Sequence, residues 1–534
     1  MAVTIRVRIG SIRSSGGDVV ELPQAGVTCI VGGNNVGKSQ LLREIHGNVY
    51  DGKATRITLS ELNIVKSDVQ SDEIIAFLDE GAVRQAPTPG SADLYQPVTG
   101  GQGLSASDFL THYNAAPNFL LASRDFFTWY ASAGSLTSFA SGGLGSVGMN
   151  PVAHPLMRLF RDGDLEAQIS ELSHGAFGQS LTLDRINGDV RLRVGKPNVE
   201  IPLMSHPTVE YADAVSALPT LEAQGDGIRS FLGLALAVVA GSTQILLVDE
   251  PEAFLHPSQA RAIGRWLGAE AVRRDIQVML ATHDRDLLLG LLDGAPNSTI
   301  NIVRITRVGD VNRLHQLPPD QVAAVWADPV LRYSNVLQGL FHAVAVICEG
   351  DADCRFYGAT IDEIAIDTDR RAHADDTLLV PSGGKQRIAA MAKSLSRLGV
   401  DARAIVDFDV LRKRDDVRNI VVAVGGVWTD EMEADYVALI EPANKKGLWE
   451  SLKNQGIAGL PAGPSFVACE KLVKKLSSIG VYIVPVGEME DFDKSIGLHG
   501  AAWVSAMLEA GGHKTCVAAT QFLGQVLEPP LHLK

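Results

Sequence analysis

Two groups of residues carry side chains whose types and spacing could handle phosphate. The first is Gly32-Gly33-Asn34-Asn35-Val36-Gly37-Lys38-Ser39-Gln40. It fits the pattern Gly-x4-Gly-Lys-Ser, with an apolar strand before it and helical periodicity after it. Gly32, Asn34, Asn35 and Gly37 belong to a loop whose successive backbone N–H groups can curl around phosphate oxygens. Lys38 supplies a point charge, and Ser39 offers a hydroxyl to Mg2+. The start of the following helix, with Gln40 in its first turn, adds a positive dipole end. The partner of this loop is Ile245-Leu246-Leu247-Val248-Asp249-Glu250-Pro251, a buried strand ending in two acids. There Asp249 would hold Mg2+ through water and Glu250 would polarise the attacking water. His283, closing the next strand in Ala281-Thr282-His283-Asp284, is placed to contact a γ-phosphate. The ligand these residues imply is ATP with Mg2+.

The second group is acidic. Val344-Ala345-Val346-Ile347-Cys348-Glu349-Gly350-Asp351-Ala352-Asp353 is an apolar strand followed by acids, and Ala404-Ile405-Val406-Asp407-Phe408-Asp409 is another. Alternate residues at a strand end point the same way, so Asp407 and Asp409 can share a ligand. Acids at the ends of adjacent parallel strands, here Glu349 and Asp353 with Asp407 and Asp409, converge on one crevice. Oxygen ligands with no His or Cys nearby select Mg2+ or Mn2+, and such ions serve in-line displacement at phosphorus. Taken singly, each acid also fits a solvated strand end; the ordered set is what points to a metal. Lys385-Gln386-Arg387, Arg412-Lys413-Arg414 and Lys471 to Lys475 put basic charge in the same half of the chain. That charge fits a solvated loop and a phosphate contact equally well.

These residues need parallel strands to position them. A helix at about 227–240 is followed by a strand at 245–249, a helix at 257–273, a strand at 276–281 and a helix at 284–292. Such alternation means a parallel α/β sheet. Leu317-Pro318-Pro319-Asp320 marks a break, which divides the chain into a first domain at 1–315, a linker at 316–338 and a second α/β domain at 339–534. The second series has strands at 343–348, 377–380, 402–406 and 481–486, with a helical insertion at about 425–480. Residues 60–175 read as mostly helical and less regular, and the Gly/Ser-rich run 131–150 reads as a surface loop. Leu181 to Val194 reads as a hairpin about Asn187-Gly188.

A net charge of −15 argues against non-specific coating of nucleic acid. Five widely spaced cysteines with no CxxC pair argue against a disulfide framework or zinc site and suit a reducing cytoplasm. The most apolar window, Phe231 to Val248, is broken by Gly241-Ser242-Thr243-Gln244 and reads as helix, turn and strand, so no membrane association is expected.

The first group resembles the ABC-type ATPases, in the branch of RecF- and SMC-like DNA proteins. The likeness covers residues 1 to about 310, with 60–175 matching loosely. It implies a homodimer in which a signature loop of one protomer closes over the ATP of the other. Gln224-Gly225-Asp226-Gly227-Ile228-Arg229-Ser230 lies where that loop belongs, with Asp226 and Gly227 as nucleotide contacts, though it departs from the family's Ser-Gly-Gly form. The acid group resembles the Toprim domain of topoisomerases, primases and nucleases. An ABC-type P-loop ATPase domain followed by a Toprim-like α/β domain with a helical insertion resembles the OLD (overcoming-lysogenization-defect) family of ATPase–nucleases, the group that includes the Gabija antiphage nuclease subunit. Pro381-Ser382-Gly383-Gly384-Lys385 and Gly487-Glu488-Met489-Glu490-Asp491-Phe492 agree with that family's turns. The resemblance implies Glu488 as a further metal ligand. It also implies Lys514, ahead of Lys385, as the cation that stabilises transition-state charge.

The implied function is an ATP-hydrolysing, Mg2+- or Mn2+-dependent endonuclease in bacterial antiphage defence or DNA processing, cytoplasmic, and a homodimer or larger. ATP state would control the dimer and access to the nuclease site. DNA is expected as the nucleic-acid partner ahead of RNA, with room for a partner defence protein. Two alternatives stay open. One is an effector that cuts RNA or tRNA. The other is a non-nucleolytic RecF-like clamp with an inactive Toprim scaffold, against which the complete acid set argues, since a scaffold needs no convergent carboxylates.

Overall fold

Apolar runs bounded by turn residues make the strands that carry both groups. The computed structural model describes residues 5–85, 92–140, 154–203, 208–241, 243–296, 299–327, 335–368, 376–445 and 447–528. Two units are distinguished, Met1–Trp326 and Ala327–Lys534.

The strands of the first unit are β1 (Val7–Ser14), β2 (Val19–Glu21), β3 (Gly26–Val31), β4 (Leu59–Lys66), β5 (Ala82–Gln85), β6 (Leu94–Pro97), β7 (Thr128–Ser132), β8 (Leu181–Asp184), β9 (Arg191–Val194), β10 (Ile245–Asp249), β11 (Gln277–Ala281), β12 (Ile300–Val308) and β13 (Val311–Leu317). The main sheet runs β13-β12-β3-β11-β10-β7. Its neighbours are parallel except for the antiparallel pair β12 and β13. Every residue of β3, β10 and β11 is buried, which is why these strands are continuous apolar runs and not alternating ones. The register sets Asp249 beside Ala281, and Ala281 beside Ile30. The C-terminal ends of the three strands therefore finish level, as a ligand site on a parallel sheet requires.

Helix Lys38–Asp51 turns Leu41, Leu42, Ile45 and Val49 into the core. The helix Asp226–Ala240 buries every residue from Phe231 to Ala240, so the apolar window is a core helix followed, after a turn, by the buried strand β10. Among the described residues no helix is long and apolar enough to cross a membrane. A second sheet, β2-β1-β4, and two antiparallel pairs, β5 with β6 and β8 with β9, complete the strands of this unit.

Three features differ from the sequence reading. The stretch 60–175 holds β4 to β7 besides its helices, and β7 is the edge of the main sheet. Its Thr, Trp and Tyr suit a half-buried pleated edge. The Gly/Ser run begins as a helix, Ala133–Phe139, because Ser132 and Ser135 cap each other's backbone N–H and Leu136 is buried; residues 141–150 of the run lie outside the described residues. The hairpin β12–β13 extends the sheet to Leu317.

The second unit has β14 (Val344–Cys348), β15 (Thr377–Pro381), β16 (Asp401–Val406) and β17 (Val481–Ile483), in the order β15-β14-β16-β17 and all parallel. Val346, Phe356, Tyr357, Ile405, Tyr482 and Trp503 share its core. Between β16 and β17 the chain forms helices Arg414–Ala423, Asp430–Lys445, Trp449–Gln455 and Pro464–Ile479. β17 stops short of residue 486. Pro485 has no N–H to continue the ladder, and the Gly487 N–H closes a turn onto the Val484 carbonyl.

Candidate functional site

The loop after β3 turns on glycines. Gly32 (φ 151°) and Gly37 (φ 104°) take conformations that favour glycine. A Cβ on Gly32 would also stand 2.5 Å from the Ile305 carbonyl oxygen. Lys38 is buried, and its Nζ donates to the carbonyls of Gly32 at 3.0 Å and Gly33 at 2.8 Å. Burial holds this ammonium below the usual lysine range, against the pull of Glu250, Glu252 and Asp249. Ser39 Oγ donates to Asp249 Oδ1 at 2.8 Å. The Tyr130 hydroxyl donates to Asp249 Oδ2 at 3.2 Å and receives the Arg43 Nε–H at 3.3 Å. Asn34 and Asn35 are exposed on the loop.

Gln40 turns away from this group. Its amide donates to Glu44 Oε1 at 2.9 Å. Glu44 is buried and also accepts from the backbone N–H groups of Ile57, Thr58 and Leu59. A buried carboxylate needs its lone pairs filled, and that demand orients Gln40.

Glu250 opens a tight turn after β10 with φ 52°, its N–H donating to the Ala281 carbonyl at 2.9 Å. His283 Nδ1 stands 3.4 Å from Glu250 Oε1 and 3.4 Å from Glu252 Oε1. Glu252 has no role in the sequence reading, although it sits two residues past Glu250. Its Oε1 accepts from the Thr282 hydroxyl at 2.6 Å and from the His283 backbone N–H at 3.1 Å. Burial pushes the Glu252 carboxyl up to about 7, against the pull of those donors. Tyr130 and Arg43 are also absent from the sequence reading, and no motif marks them.

Asp226 and Gly227 start the helix Asp226–Ala240. Asp226 is exposed and pairs with Arg229 at 3.0 Å. Gly227 lies against the turn after β10, where a Cβ would meet the Phe254 carbonyl oxygen at 2.7 Å. Lys38, Ser39, Asp249, Glu250 and His283 thus gather at one strand edge, while Gln40 faces Glu44 and Asp226 faces solvent.

The acids of the second unit gather at the ends of β14 and β16. Glu349 Oε1 accepts from the Asp407 backbone N–H at 3.1 Å, which ties the two strand ends together. Asp353 Oδ2 accepts from the Gly350 N–H at 2.7 Å. Asp409 Oδ2 lies 2.7 Å from Lys385 Nζ, and Glu488 Oε1 lies 3.0 Å from Lys453 Nζ. Burial, then the charges of Glu349, Asp353, Glu488 and Asp409, push the Asp407 carboxyl up to about 9. Burial likewise pushes Asp353 up to about 6 and Glu349 upward. The five acids share one field, yet among the described residues no three His, Cys, Asp or Glu side chains form a ready-made metal cage.

Lys514 is placed elsewhere. Its Nζ pairs with Glu363 Oε1 at 2.7 Å, and Glu363 lies ten residues along helix Asp351–Thr368 from Asp353, roughly 15 Å at 1.5 Å per residue. The last helices of the chain pack along that helix, so this late lysine is carried away from the strand ends. Among the described residues, Lys385 and Lys453 are the lysines paired with these acids. Arg414 is engaged with Glu433 at 3.0 Å, and Arg412 and Lys413 are exposed.

Residues 193–290 match the family model described as "AAA domain, putative AbiEii toxin, Type IV TA system". The match includes Asp249, Glu250, Glu252 and His283. An uncharacterized protein of Methanocaldococcus jannaschii is 34% identical over 76 residues, which are 14% of this chain and 67% of that protein. Among solved structures, an SMC head bound to the C-winged helix domain of ScpA aligns with TM-score 0.34 and 15% identity over 59% of this chain and 98% of its own. The SMC head domain from Thermotoga maritima aligns with TM-score 0.29 and 14% identity over 60% of this chain and 99% of its own. The glycine loop, the Lys38–Ser39–Asp249 cluster and the matched stretch make the first unit an ATP-binding P-loop ATPase domain of the AbiEii-like AAA kind, and the chain belongs to one family with the archaeal protein.

Proposed function

We propose that the chain couples this ATPase to a second chemistry: it is a divalent-metal-dependent endonuclease of the OLD ATPase–Toprim type, acting on DNA in antiphage defence or DNA processing. The observation that carries the reading is the acid field of the second unit, where Asp407 is pushed up to about 9 by burial and by four neighbouring carboxylates. Burying acids that also repel one another does nothing for a scaffold, whereas a divalent cation offsets both the burial and the repulsion. The donor set fits Mg2+ or Mn2+, being oxygen only and short of positive charge. Glu349, Asp353 and Asp407 would hold the ion, with Asp409 and Glu488 at its margin. When bound, it supplies Lewis-acid polarisation and a water of lowered pKa. Lys385 and Lys453, now paired with Asp409 and Glu488, would meet the substrate phosphate and its developing charge.

In the first unit Lys38 would move from the Gly32 and Gly33 carbonyls to the β- and γ-phosphates. Ser39 and Asp249 would hold Mg2+, Glu250 would polarise the attacking water, and His283 would contact the γ-phosphate. Asp226 and Gly227 would act on the nucleotide of a second copy, closing an ATP-dependent dimer that gates cleavage.

One observation favours a second reading. Asp409 and Glu488 already have lysine partners, which suits an inactive Toprim-like scaffold on a RecF-like ATP-driven clamp. The deciding experiment is cleavage of double- and single-stranded DNA, RNA and tRNA by the full chain with Mg2+ or Mn2+, with and without ATP. Cleavage that disappears in Asp407→Ala/Asp409→Ala supports the nuclease. Absence of cleavage on every substrate, with ATP hydrolysis intact and lost in Lys38→Ala, leaves the clamp.

A further inference from the structure

Glu252 is a buried acid of the nucleotide site that the roles above do not use. It is only 6% exposed, and its Oε2 is buried with no hydrogen-bond partner among the described residues. Its Oε1 gathers both the Thr282 hydroxyl at 2.6 Å and the His283 N–H at 3.1 Å. Those residues are themselves fixed: the Thr282 N–H donates to the Ile30 carbonyl at 3.1 Å, and Thr282 Oγ1 receives the Asp284 N–H at 2.9 Å. On its own side, Glu252 belongs to a turn closed by Ala253 N–H onto Glu250 O at 3.0 Å and Leu255 N–H onto Glu252 O at 2.9 Å. One carboxylate therefore joins the turn after β10 to the end of β11.

We infer that Glu252 is a positioning residue for ATP hydrolysis: it fixes His283, and through His283 the carboxylate of Glu250. His283 Nδ1 stands 3.4 Å from an oxygen of each acid, so an N–H on that nitrogen would lie against both carboxylates. A neutral acceptor would serve the two donors of the Thr282–His283 segment equally well. What only a carboxylate adds is negative charge beside the imidazole N–H. A buried carboxylate oxygen without a partner is costly to keep, and holding the His283 ring gives that cost a function. Glu252 also lies within the electrostatic reach of Lys38, so the same charge steadies the base of the phosphate loop.

The inference rests on ATP hydrolysis by the first unit and is tested on the full chain by steady-state phosphate release. Glu252→Gln keeps size and acceptor but removes charge. It should lower kcat about 10- to 100-fold, with KM for ATP within about twofold, as loss of positioning does. Glu252→Asp keeps charge but draws it back from His283, and should fall between wild type and Glu252→Gln. In a His283→Ala background, Glu252→Gln should cost no more than about twofold further, because residues that act through one another are not additive. Wild-type kcat in either folded Glu252 variant, or full additivity with His283→Ala, overturns the inference alone. No hydrolysis by wild type overturns it together with the ATPase roles on which it rests.

Discussion

Asp407 offers a direct measurement of whether the acid field is a cation site. Its carboxyl is pushed up to about 9 in the folded chain, while in an unfolded chain an aspartate ionises near about 4. Between those values the folded chain binds one more proton than the unfolded chain. The stability linked to that proton is therefore fully present below about pH 4 and is lost as pH rises towards 9, at about 1.4 kcal/mol per pH unit. From pH 6 to pH 8 the loss is up to about 2.7 kcal/mol, and roughly half that if the coupled acids share the proton. For a unit of about 200 residues, each kcal/mol moves the melting temperature by about 2–4 °C, so the second unit's transition in chelator should fall by about 3–10 °C. A cation bound between these acids must displace the proton. Titration calorimetry of the nucleotide-free chain at pH 7.5, in two buffers of different ionisation heat, should report about one proton released per Mg2+. Asp407→Asn should release none and should flatten the pH slope of melting. Mg2+ binding without proton release, or equal melting slopes in the two proteins, refutes the reasoning.

Tyr130→Phe removes the hydroxyl on Asp249 Oδ2; about 1 kcal/mol of orientation is lost, so the Mg2+ concentration giving half-maximal ATPase rate should rise about fivefold. Gln40→Ala leaves the nucleotide loop untouched but strips a donor from buried Glu44. Its ATPase kcat should stay within about twofold while unfolding free energy falls by about 1 kcal/mol in a urea titration. On the proposed nuclease reading, Lys385→Ala should lower metal-dependent cleavage at least about tenfold, whereas Lys514→Ala, which only loses the pair with Glu363, should cleave within about twofold of wild type and change stability by less than about 1 kcal/mol.

The strands that carry both sites are legible because parallel strands covered on both faces are unbroken apolar runs. Ile245–Asp249, Gln277–Ala281, Val344–Cys348 and Asp401–Val406 all stop where polar chemistry begins. The glycines of the loop are legible because their backbone positions exclude a side chain. Tyr130 is not, since 119 residues separate it from Asp249 and only the docking of β7 beside β10 joins them. Glu252 is hidden for another reason. The left-handed backbone at Glu250 breaks the strand's alternation, so spacing no longer tells where the second glutamate points. Lysines are the least legible of all. Lys385, Lys453 and Lys514 each take the nearest acid, and which acid is nearest depends on how helices from distant parts of the chain pack.

The two sites also differ in what a phosphate must displace. Lys38 rests on two neutral carbonyls, and a phosphate oxygen is the stronger acceptor for an ammonium. Exchange therefore favours the nucleotide, and the desolvation that depresses Lys38 makes the incoming charge more welcome still. Lys385 and Lys453 rest on carboxylates. A phosphate that takes either lysine trades one anion for another and frees an acid into a field that already repels it. That exchange becomes favourable only when a cation has taken up the acids. The phosphate loop is thus organised to accept its anion directly, while on the proposed nuclease reading the acid cluster would need a cation first and a substrate phosphate second.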